Sequence, residues 1–104
     1  MTYQKTFDQW KQAPEDFWSD AARELVWTKP FETPWRQVSS GGGEWFPDGE
    51  MNICYNAIDR HVDEGRGDQL GLIYDSPVTD TKAQYTFADL KDEVSRLAGL
   101  IAAQ

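Results

Sequence analysis

With 104 residues the chain is long enough for one small domain, in which only about 60 to 68% of the unfolded surface becomes buried. Ten Lys and Arg oppose 18 Asp and Glu, so the formal charge of -8 excludes nucleic acid and anionic membranes as favoured partners. One Cys excludes an intramolecular disulfide, and no apolar run approaches the ~20 residues of a membrane span, so we expect a cytoplasmic protein.

The first quarter of the chain predicts two short helices. Large apolar residues recur there at helical spacing, in the sets Tyr3, Phe7, Trp10 and Phe17, Trp18, Ala21, Ala22, Leu25. Pro14 suits the first position of the second helix, because that position needs no backbone donor. Glu15 and Asp16 follow it, where negative charge favours the positive end of the helix dipole.

An irregular middle rich in Pro and Gly follows. Pro30 and Pro34 remove backbone donors and keep the residues before them out of the helical region, so WTKPFETPW is predicted to be extended. The SSGGG run from Ser39 to Gly43 has little side chain to pack, which predicts a mobile loop. The PDGE sequence at 47–50 has the Pro and Gly of a tight turn.

The segment after this turn reads as one helix over residues 52–64. Asn52 is a good N-cap, and Gly65 supplies a stop signal. One helical stripe contains Cys54, Ala57, Ile58, His61 and Val62. The sequence therefore predicts a helix of roughly three turns.

A β-hairpin is predicted over Leu70 to Thr86. The continuous apolar run LGLIYD, Leu70 to Asp75, is too short for a helix and predicts a strand that is buried on both faces. KAQYT, Lys82 to Thr86, predicts the antiparallel partner of that strand.

A long helix is predicted for the remainder, which makes the fold class α+β. Its apolar stripe is Phe87, Leu90, Val94, Leu97 and Ile101. Thr86 with Asp89 resembles a capping box, and Asp92 is placed to pair with Arg96. The segment ends on AGLIAAQ without a Gly or Pro stop signal, from which we expect the chain to be a piece of a longer protein.

The reactive residues of the 52–64 segment do not form a recognisable active site. Cys54 and His61 are separated by about 10.5 Å of helical rise, too far for a hydrogen-bonded thiol and base. One His and one Cys also fall short of a closed four-ligand zinc site. The charged residues nearby are interpreted as a solvated helix face, namely Asp59, Arg60, Asp63 and Glu64.

Three other motifs have ordinary explanations. SSGGGEW lacks the Lys, the Ser or Thr and the following helix of a phosphate loop, and Glu44 brings the wrong charge. Arg66-Gly67-Asp68 matches a tripeptide that cell-surface receptors read, which a turn in an acidic chain also contains by chance. The five Trp are interpreted as core, not as a platform for a sugar or a peptide. We assign no catalytic, cofactor-binding or metal-binding residue.

Longer stretches add a resemblance that the single motifs do not give. They are FWSDAARELVWTKPF, then WF followed by NICYNAIDRHVDEGRGDQLGLIYDSPVTDTK, then YTFADLKDEVSRLAGLI. These stretches resemble the amino-terminal region of the AMP-forming acyl-CoA synthetases, most of all the propionyl-CoA synthetase branch, with the acetyl-CoA synthetase branch close behind. The chain departs from the family at Ser39 to Glu44, where relatives carry a Pro-containing connection.

The resemblance implies a non-catalytic piece of a ligase. Members of the family activate a short carboxylic acid, propionate or acetate in these branches, with ATP and magnesium and transfer it to coenzyme A. The resemblance makes residues 1–64 the amino-terminal cap and residues 65–104 the start of the large AMP-binding domain. It implies no cofactor in this chain, because the family's phosphate loop and adenylating Lys lie downstream of Gln104. We expect the 104-residue chain to be inactive.

The resemblance also assigns a role to the 52–64 helix, as a joint in which Ile58 and Val62 pack inward. Four polar residues of the joint would hold the cap to the large domain: Asn52, Asn56, Asp59 and Arg60. The alternative function is a self-contained protein-interaction module without enzymatic activity. In a full-length relative the remainder of the adenylating domain covers the hairpin and the last helix. We expect the isolated chain to self-associate instead, through Leu70, Ile73, Leu90, Val94, Leu97 and Ile101; the less favoured alternative is that it folds back on its own aromatic residues.

Overall fold

The computed structural model describes residues 2–104. Its helices are α1 (Tyr3–Gln12), α2 (Pro14–Arg23) and α3 (Phe87–Ala102), and its strands are β1 (Trp35–Gln37), β2 (Gly43–Trp45), β3 (Leu70–Ser76) and β4 (Thr81–Thr86). A central helical segment, residues 53–66, follows β2 in the chain. The predicted α+β class is confirmed. The chain divides into two compact units, an amino-terminal unit that ends at Asn52 and a carboxy-terminal unit, Ile53–Gln104.

The two predicted amino-terminal helices are present, and local chemistry sets their ends. The Thr2 hydroxyl caps α1 by accepting from the Lys5 N–H at 3.4 Å. Pro14 occupies the first position of α2, as predicted. Among residues 2–104, only Ser19 and Ala22 on α2 are buried, and the Ser19 hydroxyl donates to the Glu15 carbonyl at 2.6 Å.

The segment predicted as a mobile loop, Ser39 to Gly43, connects the two strands of a short hairpin, and only Gly43 belongs to a strand. β1 pairs with β2 antiparallel, with Trp35 opposite Trp45 and Gln37 opposite Gly43. Gly41 and Gly42 close the turn with φ values of 84° and 96°. Residues other than Gly rarely adopt these backbone angles. Gly41 and Gly42 therefore provide a defined turn, and Gly43 begins β2.

An aromatic cluster holds the rest of the amino-terminal unit together. The ring of Phe31 lies 4.5 Å from that of Phe46 and 5.1 Å from that of Trp27. The Trp27 indole N–H donates to the Ala22 carbonyl at 2.8 Å, which ties the cluster to the end of α2. These rings gain packing energy from edge and tilted contacts as well as from burial.

The central helical segment coincides with the predicted helix but differs from it in geometry. It contains two π-helical turns, Tyr55–Asp59 and Val62–Arg66. Gly65 has a φ of 84°, so the predicted stop residue does adopt the left-handed conformation. Ile58 and Val62, predicted to pack inward, are both half-buried.

The second hairpin is confirmed in position but not in burial. β3 pairs with β4 antiparallel, with Leu72 opposite Tyr85 and Ile73 opposite Gln84, after a bulge at Gly71. The bulge brings the backbone close to α3, where an added Cβ at Gly71 would lie 3.0 Å from Leu90. β3 is exposed from Leu70 to Asp75, so the prediction of a strand buried on both faces is wrong. An apolar run shows that a strand would gain from burial. The strand becomes buried only where other helices or strands pack against its faces.

The terminal helix α3 follows the prediction closely. Thr86 and Asp89 form the full capping box: the Thr86 hydroxyl accepts from the Asp89 N–H, and the Asp89 carboxylate accepts from the Thr86 N–H at 2.9 Å. Asp92 pairs with Arg96 at 2.7 Å, also as predicted. No helix formed by residues 2–104 is long and apolar enough to cross a membrane.

Candidate functional site

Polar side chains concentrate where the central helical segment meets α3. We name this group the polar cluster; its members are Cys54, Tyr55, Asp59, Asp63 and Lys91. The Lys91 ammonium lies 3.3 Å from an Asp63 carboxylate oxygen and 3.8 Å from an Asp59 carboxylate oxygen. One cation on α3 thus attracts two carboxylates on neighbouring turns of the central segment, which stabilises the contact between the two helices.

The carboxylates of the polar cluster accept hydrogen bonds from two weak acids. The Cys54 thiol donates to Asp59 at 3.7 Å, and burial together with the Asp59 charge raises the pKa of that thiol. The Tyr55 hydroxyl donates to Asp63 at 3.2 Å, a bond that raises the pKa of Tyr55. Both groups therefore stay protonated at neutral pH. A nucleophilic Cys requires the opposite, a thiolate favoured by nearby positive charge.

His61 has different neighbours from Cys54. A guanidinium nitrogen of Arg66 contacts His61 Nδ1 and also lies 2.6 Å from the Glu64 carboxylate. The hydrogen bond from Arg66 lowers the pKa of Glu64. The His61 ring lies 4.8 Å from the ring of Phe87, at the start of α3. Arg66, the first residue of the Arg-Gly-Asp tripeptide, is thus engaged within its own segment.

The predicted solvated face of the central segment is only partly solvated. Asp63 and Glu64 are exposed, as expected. Asp59 and Arg60 are half-buried. The Asp59 carboxylate faces Lys91, and an Arg60 guanidinium nitrogen donates to Asn56 at 3.4 Å. Of the four polar residues predicted to hold a cap to a large domain, Asp59 has its partners, Cys54 and Lys91, inside the carboxy-terminal unit.

The glycine turn of the first hairpin does not form a phosphate cradle. Its backbone groups bond to each other, since the Gly41 N–H donates to the Val38 carbonyl and the Val38 N–H donates to the Gly42 carbonyl. Glu44 follows in β2 and pairs across the hairpin with Arg36. Phosphate loops instead direct free N–H groups and a Lys at the ligand. Among residues 2–104 we also find no group of His, Cys, Asp and Glu that is arranged to hold a metal ion.

The tryptophans of the amino-terminal unit form a partly exposed aromatic surface. Trp35 and Trp45 pack across the first hairpin with ring centroids 4.9 Å apart. Trp18, Trp45 and Phe46 line an open apolar groove, where both indoles are nearly half exposed. The groove contains no charged group that would orient a ligand. Trp10, Trp18 and Trp45 are exposed, whereas Trp27 and Trp35 are half-buried, so the interpretation of all five Trp as core is correct only in part.

Two structural residues escaped the sequence analysis. Lys91 joins the polar cluster from a position 28 residues beyond Asp63, a separation at which no local pattern operates. Asp48 accepts from the backbone N–H groups of Glu32 and Thr33, the latter at 3.0 Å. Although burial opposes it, hydrogen bonding from Thr33 and Glu32 lowers the pKa of Asp48. An Asp in a turn commonly accepts hydrogen bonds from nearby backbone N–H groups. The PDGE sequence could therefore have indicated the role of Asp48.

Comparison with known proteins gives consistent matches. The family described as the acetyl-coenzyme A synthetase N-terminus matches residues 3–57. Human acyl-CoA synthetase short-chain family member 3, mitochondrial, is 47% identical over 88 residues, which cover 85% of this chain and 13% of the human protein. Acetyl-coenzyme A synthetase of Streptomyces avermitilis is 40% identical over 101 residues, which cover 92% of this chain and 15% of that enzyme. The chain thus spans about one seventh of the length of these relatives.

Proposed function

The chain belongs to the acetyl-coenzyme A synthetase N-terminus family, and on that premise we propose that it is a non-catalytic amino-terminal segment of a short-chain acyl-CoA ligase. The predicted resemblance to the AMP-forming acyl-CoA synthetases is confirmed. One observation in the structure supports the proposal: in the polar cluster, Cys54 and Tyr55 donate to the carboxylates of Asp59 and Asp63, so neither acid is available as a nucleophile.

We infer that the intact parent joins propionate or acetate to coenzyme A at the expense of ATP, with release of AMP and pyrophosphate. The residues described here do not fit ATP with magnesium. The glycine turn bonds internally, and Glu44 next to it would repel a phosphate. We therefore assign no step of the reaction to residues of this chain. ATP, magnesium and coenzyme A would bind elsewhere in the proposed parent.

We further propose that residues 1–64 are a cap and residues 65–104 begin the AMP-binding domain. The family match ends at residue 57, inside the central helical segment, whereas the Streptomyces alignment covers 92% of the chain. A helix that crosses such a boundary suits the role of a joint. We place the protein in the cytoplasm, although the human relative is named as mitochondrial.

A chimera tests this proposal. These 104 residues replace the matched segment of the Streptomyces avermitilis acetyl-coenzyme A synthetase, and acetate-dependent pyrophosphate exchange is measured. We expect the chimera to stay active with an unchanged preference between acetate and propionate, because the grafted segment supplies scaffold and not chemistry.

The control is the same synthetase with its segment deleted, which we expect to be inactive for lack of the scaffold. A folded chimera with no exchange activity would contradict the role as an amino-terminal segment. A chimera whose acid preference moves several-fold would contradict the non-catalytic assignment, because the graft would then contribute to the acyl site.

A further inference from the structure

A contact between His61 and Arg66 spans the second π-helical turn of the central segment, Val62–Arg66. A guanidinium nitrogen of Arg66 reaches back to Nδ1 of His61, five residues earlier in the chain. A guanidinium carries only N–H donors, so Nδ1 is the acceptor and the proton of the neutral imidazole sits on Nε2. The contact therefore forms only while His61 is neutral.

The charged groups beside His61 offer a different partner to its protonated form. The Glu64 carboxylate lies 2.6 Å from the same Arg66 nitrogen, and the hydrogen bond from Arg66 lowers the pKa of Glu64, which keeps this carboxylate charged. Arg60 is a further cation near Glu64. A protonated imidazole has a donor at each nitrogen, so its Nδ1–H is repelled by Arg66 and attracted by Glu64.

The terminal helix α3 presents an aromatic ring to His61. The centroid of the Phe87 ring lies 4.8 Å from that of the imidazole. The charged residues in the first turns of α3 have other partners, since Asp89 accepts from the Thr86 N–H and Lys91 lies beside two carboxylates of the polar cluster. From α3, His61 thus meets a ring that does not titrate.

The turn that the His61 contact spans leads directly to the start of α3. Gly65 within this turn has a φ of 84°, so the helical path ends there. The Gly67 carbonyl then accepts from the Ala88 N–H at 3.0 Å. The backbone after Arg66 is thus tied to α3 by a main-chain hydrogen bond, whereas the turn before it is tied by the side-chain contact with His61.

We propose that His61, Arg66 and Glu64 form a pH-sensitive switch in the central segment. While His61 is neutral, Arg66 bridges the imidazole and the Glu64 carboxylate. When a proton from solvent enters at Nδ1, Arg66 leaves the ring and Nδ1–H donates to Glu64 instead. The turn Val62–Arg66 loses the contact across its ends and becomes more mobile. This inference concerns residues 61–66 and does not depend on the proposed ligase parent.

Solution NMR of the ¹⁵N-labelled 104-residue chain tests the switch. His61 is the single His of the sequence, so the imidazole signals between about pH 8 and pH 5 give one titration curve without overlap. We expect the heteronuclear NOE of the 62–66 amides to match that of α3 at the upper end of this range and to fall towards the lower end. The midpoint of the fall should coincide with that of the His61 ring. Amides that keep the same NOE while His61 titrates would overturn the proposal.

Two variants separate the switch from a general effect of acid. His61→Asn keeps an oxygen acceptor for Arg66 but gains no proton, so the 62–66 amides should stay ordered across the whole range. Arg66→Met removes the donor, so these amides should be mobile at both ends of the range. Arg96→Met is the matched control, because it removes the same charge from the exposed pair with Asp92, and it should reproduce the wild-type curve.

The variants also give results that would overturn the switch. One is a fall of the NOE in His61→Asn equal to that of the wild type, which would attribute the change to other groups. Another is an Arg66→Met variant that keeps the wild-type curve, which would show that the Arg66 contact does not hold the turn. Should a variant fail to fold, the wild-type titration decides by itself.

Discussion

The two units of this chain satisfy their apolar residues in different ways. In the amino-terminal unit, Trp27, Phe31 and Phe46 contact one another, and Asp48 caps the irregular backbone beside them. In the carboxy-terminal unit, a regular hairpin and the capped helix α3 form, yet large apolar residues on both stay more than 40% exposed, among them Ile73, Leu97 and Leu100. Regular secondary structure can therefore form without a closed core. The unit with less regular structure covers its cluster better.

The five tryptophans make this comparison measurable. All of them precede Asn52, at positions 10, 18, 27, 35 and 45. Tryptophan fluorescence therefore reports on the amino-terminal unit alone, whereas hydrogen exchange of peptides from 53–104 reports on the carboxy-terminal unit. A substitution in one unit is expected to change the signal from that unit and to leave the other signal unchanged.

The largest effect is expected from Gly43→Ala in the amino-terminal unit. The added Cβ would lie 2.1 Å from the Trp35 ring, so the indole has to leave its place beside Trp45. Overpacking of this kind costs about 2 kcal/mol, which urea unfolding followed by tryptophan fluorescence will show. Gly99→Ala is the control, because that Cβ meets no atom within 4 Å and a helical Gly→Ala change is stabilising. Equal destabilisation by both changes would contradict the packing account of Trp35.

Acid should loosen the amino-terminal unit through Asp48. Its pKa in the folded state is lowered below 3.8, so its contribution to stability is present above that value and is lost as pH falls through the folded pKa. We expect the acid transition of tryptophan fluorescence to flatten in Asp48→Asn. Asp89→Asn is the counterpart, since the pKa of Asp89 is lowered by the Thr86 backbone N–H in the other unit. An Asp89→Asn variant that flattens the fluorescence transition equally would contradict the assignment to Asp48.

Local chemistry in the sequence was sufficient to predict the ends of the helices. Pro14 at the start of α2, the Thr86 and Asp89 capping box, and the left-handed Gly65 act over one turn of chain, so short motifs identify them. The two strands of the second hairpin were also predicted in the right place, from the apolar run LGLIYD and the following KAQYT. These features required no knowledge of distant residues.

Features that join distant residues could not be predicted in this way. The first hairpin depends on Gly43 lying against Trp35, a contact that a glycine run by itself does not indicate. The polar cluster depends on Lys91 reaching Asp59 and Asp63 from another helix. The exposure of β3 depends on which other elements pack against it. The apolar sequence of the strand does not indicate whether such elements are present.

A smaller effect is expected from Thr86→Ala in the carboxy-terminal unit. The substitution removes the hydroxyl that accepts from the Asp89 N–H and so ends the capping box of α3. Loss of an N-cap costs about 1 kcal/mol, which should appear as faster amide exchange in the first turns of α3. Thr86→Ser keeps the hydroxyl and should restore protection. Unchanged exchange in Thr86→Ala would show that packing, not the cap, determines where α3 begins.

The smallest effect is expected from Lys91→Met in the polar cluster. Partly exposed ion pairs contribute about 0.2 to 1 kcal/mol, and Lys91 is 37% exposed. The variant should unfold slightly more easily at low salt and match the wild type at high salt, because salt screens the pairs. Lys82→Met is the control from the exposed Lys82–Asp75 pair and should change little. A salt-independent loss in Lys91→Met would mean that its aliphatic stem, not its charge, stabilises the contact.

Calorimetric titration of the 104-residue chain with ATP and magnesium tests the central claim most directly. If the chain is a non-catalytic segment, the polar cluster and the glycine turn offer no nucleotide site, and the titration should show only heats of dilution. The full-length Streptomyces avermitilis synthetase, titrated in parallel, provides the positive control. Saturable binding of ATP by the 104-residue chain with micromolar affinity would contradict the account and would assign a nucleotide site to these residues.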